Sequence, residues 1–228
     1  MPKLKKNSSL ADWQKFCEDV YGFPNDRDFG TMEMLSNVQR FTMRSLKGIR
    51  KADPEKTASN LLIGMSWYIS LMNQFHLDVS EIVWQRFPAA CSYCGATTCE
   101  CKARKIKKRQ SIKINPKLKP KTIKEYQNMF GHIYPAETRT LENAGIHLAE
   151  EMGEITEAML AYRGSHGKEN FDKVVLESAD IFSTFMGVFN SLEIDVAEEL
   201  AKKFHNNCHV CHQAPCECNF NHVLNFKS

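Results

Sequence analysis

Apolar residues recur at helical spacing along much of the chain. Leu148, Met152, Ile155 and Met159 step by four, three and four, which places one stripe along a helix face. Val174, Ile181, Phe185, Val188 and Leu192 form a second stripe, with Gly164 and Gly167 expected in the loop between. Asp195 followed by Glu198 has the pattern of an N-cap and predicts a third, amphipathic helix ending near Asn207. A shorter helix is predicted from Thr122 to Phe130. Nearer the N-terminus, Asp78 with Glu81 repeats the cap pattern, and the run from Met65 to Met72 is apolar enough to be buried. Strand alternation is weak throughout, so the predicted class is all-α.

Eight of the nine cysteines fall in two clusters, Cys91, Cys94, Cys99, Cys101 and Cys208, Cys211, Cys216, Cys218. Both read Cys-x-x-Cys-x4-Cys-x-Cys. Shifting the chain by 117 residues superimposes the clusters, and the match continues upstream: Phe87 meets Phe204, Glu81 meets Glu198, Asn73 meets Asn190 and Ser66 meets Ser183. With small length changes Leu46 falls on Leu160 and Trp13 on Tyr126. The chain therefore reads as two copies of one unit, about 10–101 and 123–218. The expected domains are 1–101 and 123–228, each ending in a four-cysteine motif, joined by a basic Pro/Lys-rich linker at 102–122.

No apolar run approaches a membrane span, and the basic start Met1-Pro2-Lys3-Leu4-Lys5-Lys6 lacks the apolar stretch of a secretory signal. A cytoplasmic protein with no membrane partner is expected. In that setting four thiols within eleven residues suit a structural tetrahedral zinc better than disulfides or one shared metal, which gives two zinc ions per chain. His205, His209 and His212 are rival ligands in the second cluster. Cys17, alone among apolar neighbours, reads as a small core residue.

The net charge of +3 is unevenly spread. Eleven of the 30 Lys and Arg lie in residues 102–124, which contain no acid, leaving 19 against 27 acids elsewhere. Within the second copy, the first stripe carries Glu150, Glu151 and Glu154, and the second carries Glu177 and Asp180. Glu151 follows Leu148 by three residues, as Glu177 follows Val174, so both acids flank their apolar stripes by about 60°. Packed antiparallel, the two helices bring four carboxylates together at the core edge. Such a cluster repels itself unless a cation neutralises it, and all-oxygen donors select Mg²⁺ or Mn²⁺. Taken singly, each acidic pair reads as a solvated helix face. The first copy carries Asn37, Arg40, Asn60 and Ile63 at the matching positions, so all four acids are missing there together.

Glu150-Glu151-Met-Gly-Glu154 followed by Glu177-Ser-Ala-Asp180 resembles the EExxE…ExxD signature of the MazG-type all-α nucleoside triphosphate pyrophosphohydrolases. The likeness covers about residues 123–207, and the upstream copy matches only in pattern. It implies two four-helix-type repeats forming a fused pseudo-dimer, with one live and one decayed site. Whether that pair dimerises again stays open. It also implies cleavage of a nucleoside triphosphate between the α and β phosphates. Glu151, Glu154, Glu177 and Asp180 would hold Mg²⁺, and Glu150 would orient a ligand or help deprotonate water. Lys203 and Asn207, in the third helix, would hold phosphate oxygens; His147, Arg163 and Lys168 are weaker substrate contacts. Trp67, Tyr68, Arg40 and Arg44 are candidates for a base-binding contribution from the first copy. The zinc clusters and basic linker lie outside the family's usual signature. A rival from another class is a zinc-containing nucleic-acid-binding or scaffold protein on a catalytically silent fold, binding through the basic linker. Pro116 and Pro120 stiffen that linker, and the absence of interleaved aromatics argues against base stacking.

Overall fold

The structure, a computed structural model, describes residues 3–226; Met1, Pro2, Lys227 and Ser228, at the outer limits of the two expected domains, lie outside the described residues. All regular elements among them are helical. In chain order they are α1 (Leu10–Cys17), α2 (Phe23–Asp28), α3 (Thr31–Arg50), α4 (Pro54–Gln74), α5 (Val79–Arg86), α6 (Cys101–Arg104), α7 (Ile123–Ile133), α8 (Leu141–Ser165), α9 (Lys168–Ser191), α10 (Val196–Lys203) and α11 (Phe220–Asn225). No helix among the described residues is long and apolar enough to cross a membrane.

The chain divides into two compact units that cut across the expected domains. One unit runs to Val79 and resumes at Ile194; the other is Ser80–Glu193. Each is built on a long helical hairpin, α3 against α4 in the first and α8 against α9 in the second. The first hairpin is unusually tight where it turns. A Cβ on Gly48 would lie 2.9 Å from the backbone nitrogen of Thr57, so only glycine allows this approach. Asp53 closes the turn by capping α4, its side chain accepting from the Lys56 amide at 2.9 Å, with Pro54 at the first helical position.

The second hairpin is capped by Thr140, whose hydroxyl accepts from the Asn143 amide at 3.2 Å. The predicted stripes are core but for their last member: Leu148, Met152, Ile155 and Met159 of α8 and Val174, Ile181, Phe185 and Val188 of α9 are buried, while Leu192 is half-buried just past the end of α9. Gly164 differs from expectation, because α8 runs on to Ser165 and leaves only His166 and Gly167 as the turn. α10 starts as predicted, with Asp195 accepting from the Glu198 amide at 3.0 Å. It stops at Lys203, four residues short of Asn207, where the backbone reverses into the left-handed region at φ +69°.

Segments carrying the cysteine clusters do not stay with the repeat that precedes them. The first belongs to the unit of α7–α9, where the Cys99 amide donates to the carbonyl of Ile133 at 2.8 Å and Phe87 packs edge-on to Phe130 at 5.2 Å. The second belongs to the unit of α1–α4, where the Cys216 amide donates to Val20 at 2.7 Å and Phe204 packs edge-on to Phe16 at 5.7 Å. A short Cys-rich loop has little apolar area of its own, so the surface it docks on decides where it sits. The basic segment 102–122, expected as a linker between domains, consequently lies inside the second unit. It is pinned by the Arg109 guanidinium to the Ser92 carbonyl at 3.0 Å and by Lys119 to Glu81 at 2.8 Å.

Candidate metal centres

Three donor clusters stand out among the described residues: the two four-cysteine groups and Glu151 with Glu177 and Asp180, each set having donor atoms within 4.8 Å of one another. In the cysteine groups the sulfurs approach at 3.7 Å for Cys91 and Cys101, 3.7 Å for Cys211 and Cys216, and 4.0 Å for Cys208 and Cys218. A disulfide needs about 2.05 Å. Zinc–sulfur bonds of about 2.3 Å in a tetrahedron set sulfurs about 3.8 Å apart, within the range found here, whose short end is Cys208 to Cys216 at 3.4 Å. Both loops share one internal geometry, since the Glu100 amide donates to Cys94 Sγ and the Glu217 amide to Cys211 Sγ, each at 3.4 Å. Burial opposes ionisation of Cys94, but amide hydrogen bonds, that of Glu100 foremost, bring it down to about 7; the Cys216 thiol brings Cys208 down to about 4. Both four-cysteine clusters can hold zinc. His209 is turned to the Tyr21 hydroxyl at 3.4 Å, so four cysteines suffice without the rival histidines.

The acidic cluster is made by α8 and α9, whose antiparallel packing brings Glu151 opposite Glu177 and Asp180. Glu151 and Asp180 side chains are only 13% exposed, and Glu151 Oε2 and Glu177 Oε2 are buried oxygens with no hydrogen-bond partner. Buried carboxylate oxygens without a donor are costly, and a divalent cation is one group that would satisfy them. Glu154 sits one turn further along α8, exposed and outside the tight triad, though burial and the charges of Glu151 and Asp180 raise its pKa. Glu177 is pushed up to about 7, by burial first and then by Asp180, Glu154 and Glu151. His147 joins the cluster through Glu151 at 3.1 Å, a contact that lifts its pKa. Glu150 is exposed on the neighbouring helical step.

Two of the predicted substrate contacts lie well along the hairpin from the acids, and two belong to the other unit. Arg163 and Lys168 are exposed beside the hairpin turn, nine residues from Glu154 and Glu177 respectively, which is about 13 Å along either helix. Lys168 is paired with Asp172 at 2.6 Å. Lys203 and Asn207 belong to the first unit, because α10 docks there: Lys203 Nζ donates to Ser59 Oγ at 2.9 Å, and Asn207 is buried at the turn that ends α10.

The cation on the acids is Arg86 of α5. Its Nε donates to Asp180 Oδ1 at 2.9 Å and its Nη2 donates to Oδ2 of the same carboxylate, with both side chains about nine-tenths buried. Burial works against the guanidinium's charge, and Asp180, Glu177 and Glu151 outweigh it. The sequence contained a pointer to this residue, since Arg86 lies at the 117-residue offset from Lys203. Two further groups were missed. Tyr134 donates to Cys91 Sγ at 3.5 Å. Arg139 lies flat against Gly187 with Nε and Nη2 buried and unpaired.

Comparison of the chain with family models, curated proteins and solved structures returns no match.

Proposed function

We propose that the chain is a Mg²⁺- or Mn²⁺-dependent nucleoside triphosphate pyrophosphohydrolase, built as two tandem MazG-like repeats with its live site on α8 and α9. The observation that carries the reading is the convergence of Glu151, Glu177 and Asp180 on two packed helices, with two buried oxygens lacking partners. The resemblance of the same residues to the EExxE…ExxD pattern supplies the reaction class. One structural zinc in each cysteine cluster and a cytoplasmic setting complete it.

In this reading Glu151, Glu177 and Asp180 would be the inner metal ligands, and Glu154, one turn along α8, would complete the set. The cation neutralises polyphosphate charge and lowers the barrier to attack. Water adds to the α-phosphorus, and the bond from that phosphorus to the bridging oxygen breaks. Pyrophosphate leaves with the electron pair, and the water proton passes to a carboxylate. Glu150, exposed beside the ligands, would be the group to take it. Glu150 and His147 orient Glu151 or the entering water. Arg86, whose planar fork now holds Asp180, would be the residue of this unit to take a phosphate oxygen, the role expected of Lys203.

Pyrophosphate release from each ribo- and deoxynucleoside triphosphate, with Mg²⁺ and with Mn²⁺, tests the proposal beside Glu151→Gln. Turnover by wild type and a loss of about 10²-fold or more in the variant is expected. Failure of folded, zinc-loaded wild type to release pyrophosphate from any of them overturns it.

A further inference from the structure

The first unit lacks the acids, yet its hairpin carries a different set of charges at the same positions. Arg40 stands where the second repeat has Glu154, with Arg44 one turn on. Neither guanidinium meets a carboxylate among the described residues. Arg40 Nη2 donates to the backbone carbonyls of Val223 at 2.8 Å and Phe226 at 3.2 Å, and its Nη1 to Asn37 at 3.1 Å. Arg44 Nη1 donates to the Phe226 carbonyl at 2.9 Å. Arg40 Nε is buried without a partner. Lys203, desolvated on Ser59, adds a third cation to the same unit.

Aromatic rings surround these cations. Both guanidiniums lie over the Phe41 ring, at 4.7 and 5.3 Å. The Phe226 ring sits 6.2 Å from Phe41 and 5.5 Å from His209. Behind it an apolar cavity of about 70 Å³ is walled by Phe29, Phe41, Ile63, Trp67 and His209. The one carboxylate among its lining residues, Asp28, is already held by Arg27. The covering segment is held by these bonds and by ring contacts, Phe220 on Phe29 at 5.4 Å among them, and buries little of itself: α11 contains no buried residue, and Phe220 and Leu224 are 42% and 48% exposed.

A neutral carbonyl is a weak partner for a guanidinium, whose planar fork matches a phosphate. Phe226 and its flanking carbonyls thus supply one ring and two oxygens, the minimum a nucleoside phosphate would place there. We propose that the first unit holds a second, non-catalytic site for a nucleoside polyphosphate. The phosphates bind Arg40 and Arg44 without a metal, the base stacks in the aromatic wall, and residues 219–226 occupy the site until the ligand displaces them. The proposal is independent of whether the acidic site is an enzyme.

Calorimetric titration of the full chain with ATP, GTP, CTP and UTP, in buffer free of added divalent metal, tests this. Wild type, Phe226→Ala, Arg40→Ala and the double variant are compared, with inorganic pyrophosphate as the ringless control and zinc content measured for each. Phe226→Ala, lacking the competing ring, is expected to bind at least one nucleotide tenfold or more tighter than wild type. Arg40→Ala in that background is expected to weaken it at least tenfold. Absence of nucleotide binding by folded, zinc-loaded Phe226→Ala overturns the proposal, as does binding indifferent to Arg40→Ala. Pyrophosphate binding as tightly as the best nucleotide overturns the nucleoside half of it. Hydrolysis at the acidic site bears on none of these outcomes, so the two proposals fail separately.

Discussion

Arg86 and Asp180, 94 positions apart in sequence, form a two-pronged ion pair at the edge of the acidic cluster, with each side chain close to nine-tenths buried. A guanidinium already fixed there means that part of the carboxylate charge is answered by the chain itself. Through this pair α5 reaches into the donor set.

Arg86→Ala leaves Asp180 buried without its partner. A loss of about 3 kcal/mol is expected, or roughly 6–12 °C in melting temperature. Added Mg²⁺ should recover more stability in the variant than in wild type, since the cation then meets an uncompensated carboxylate. Arg86→Lys should restore only part, lacking the fork. Thermal unfolding with and without Mg²⁺ checks all three, and equal Mg²⁺ effects in wild type and Arg86→Ala would count against competition at Asp180.

Glu177 titrates near 7 in the folded chain against about 4.5 for an ordinary glutamate. Its folded form binds more protons across that interval, so the metal-free chain loses stability as pH rises from about 5 towards 7. Glu177→Gln removes the effect. After allowance for solvent screening, the metal-free variant should exceed wild type by on the order of 1 kcal/mol at pH 7.5 and match it near pH 4.5. Mg²⁺ should shrink the difference at the higher pH. Melting curves at both values decide the matter; a variant weaker than wild type at pH 7.5 contradicts the charge argument.

Each four-cysteine cluster should carry one zinc, giving two per chain by elemental analysis of protein purified without chelator. Cys94→Ser and Cys211→Ser should each lower the count by about one. Because the Cys99 and Cys216 amides bond to the carbonyls of Ile133 and Val20, losing either metal should also release the docked loop, visible as faster amide exchange around Ile133 or Val20. A zinc count of zero in native protein would refute the assignment.

Gly48→Ala tests the tight turn of the first hairpin. The added methyl meets Thr57 backbone, which cannot swing aside, and a cost of about 1–3 kcal/mol is expected. Chemical denaturation measures it. Gly153→Ala, with nothing within 4 Å of the new atom, should be neutral or slightly stabilising through helix propensity.

The helices and their buried faces were legible because periodicity is local: Leu148 to Met159 and Val174 to Val188 face inward as their spacing requires. Glu151, Glu177 and Asp180 could be read for the same reason, each lying at a fixed angle from its stripe. Glu154 lies one turn further along α8, exposed and outside the close triad, a distinction too fine for an angular argument. Lys203 and Arg86 show the larger limit. The repeat offset marked them as equivalents, but which hairpin each would meet depends on where the Cys-rich segments dock. That choice rests on single contacts such as Cys99 to Ile133 and Cys216 to Val20, which leave no period in the chain. Phe226 was invisible for a related reason, since nothing about its neighbours announces a carbonyl on two arginines.

Because the second Cys-rich segment closes on Val20, between α1 and α2, the first unit is discontinuous along the chain. On a ribosome, Ser80–Glu193 is complete and able to collapse while the earlier helices still lack the piece that covers Phe16. The buried Phe16 ring gains its edge-on partner Phe204 only once residues beyond Ile194 have been made. The unit whose residues are made first is thus the last to be completed, by a segment made after everything else.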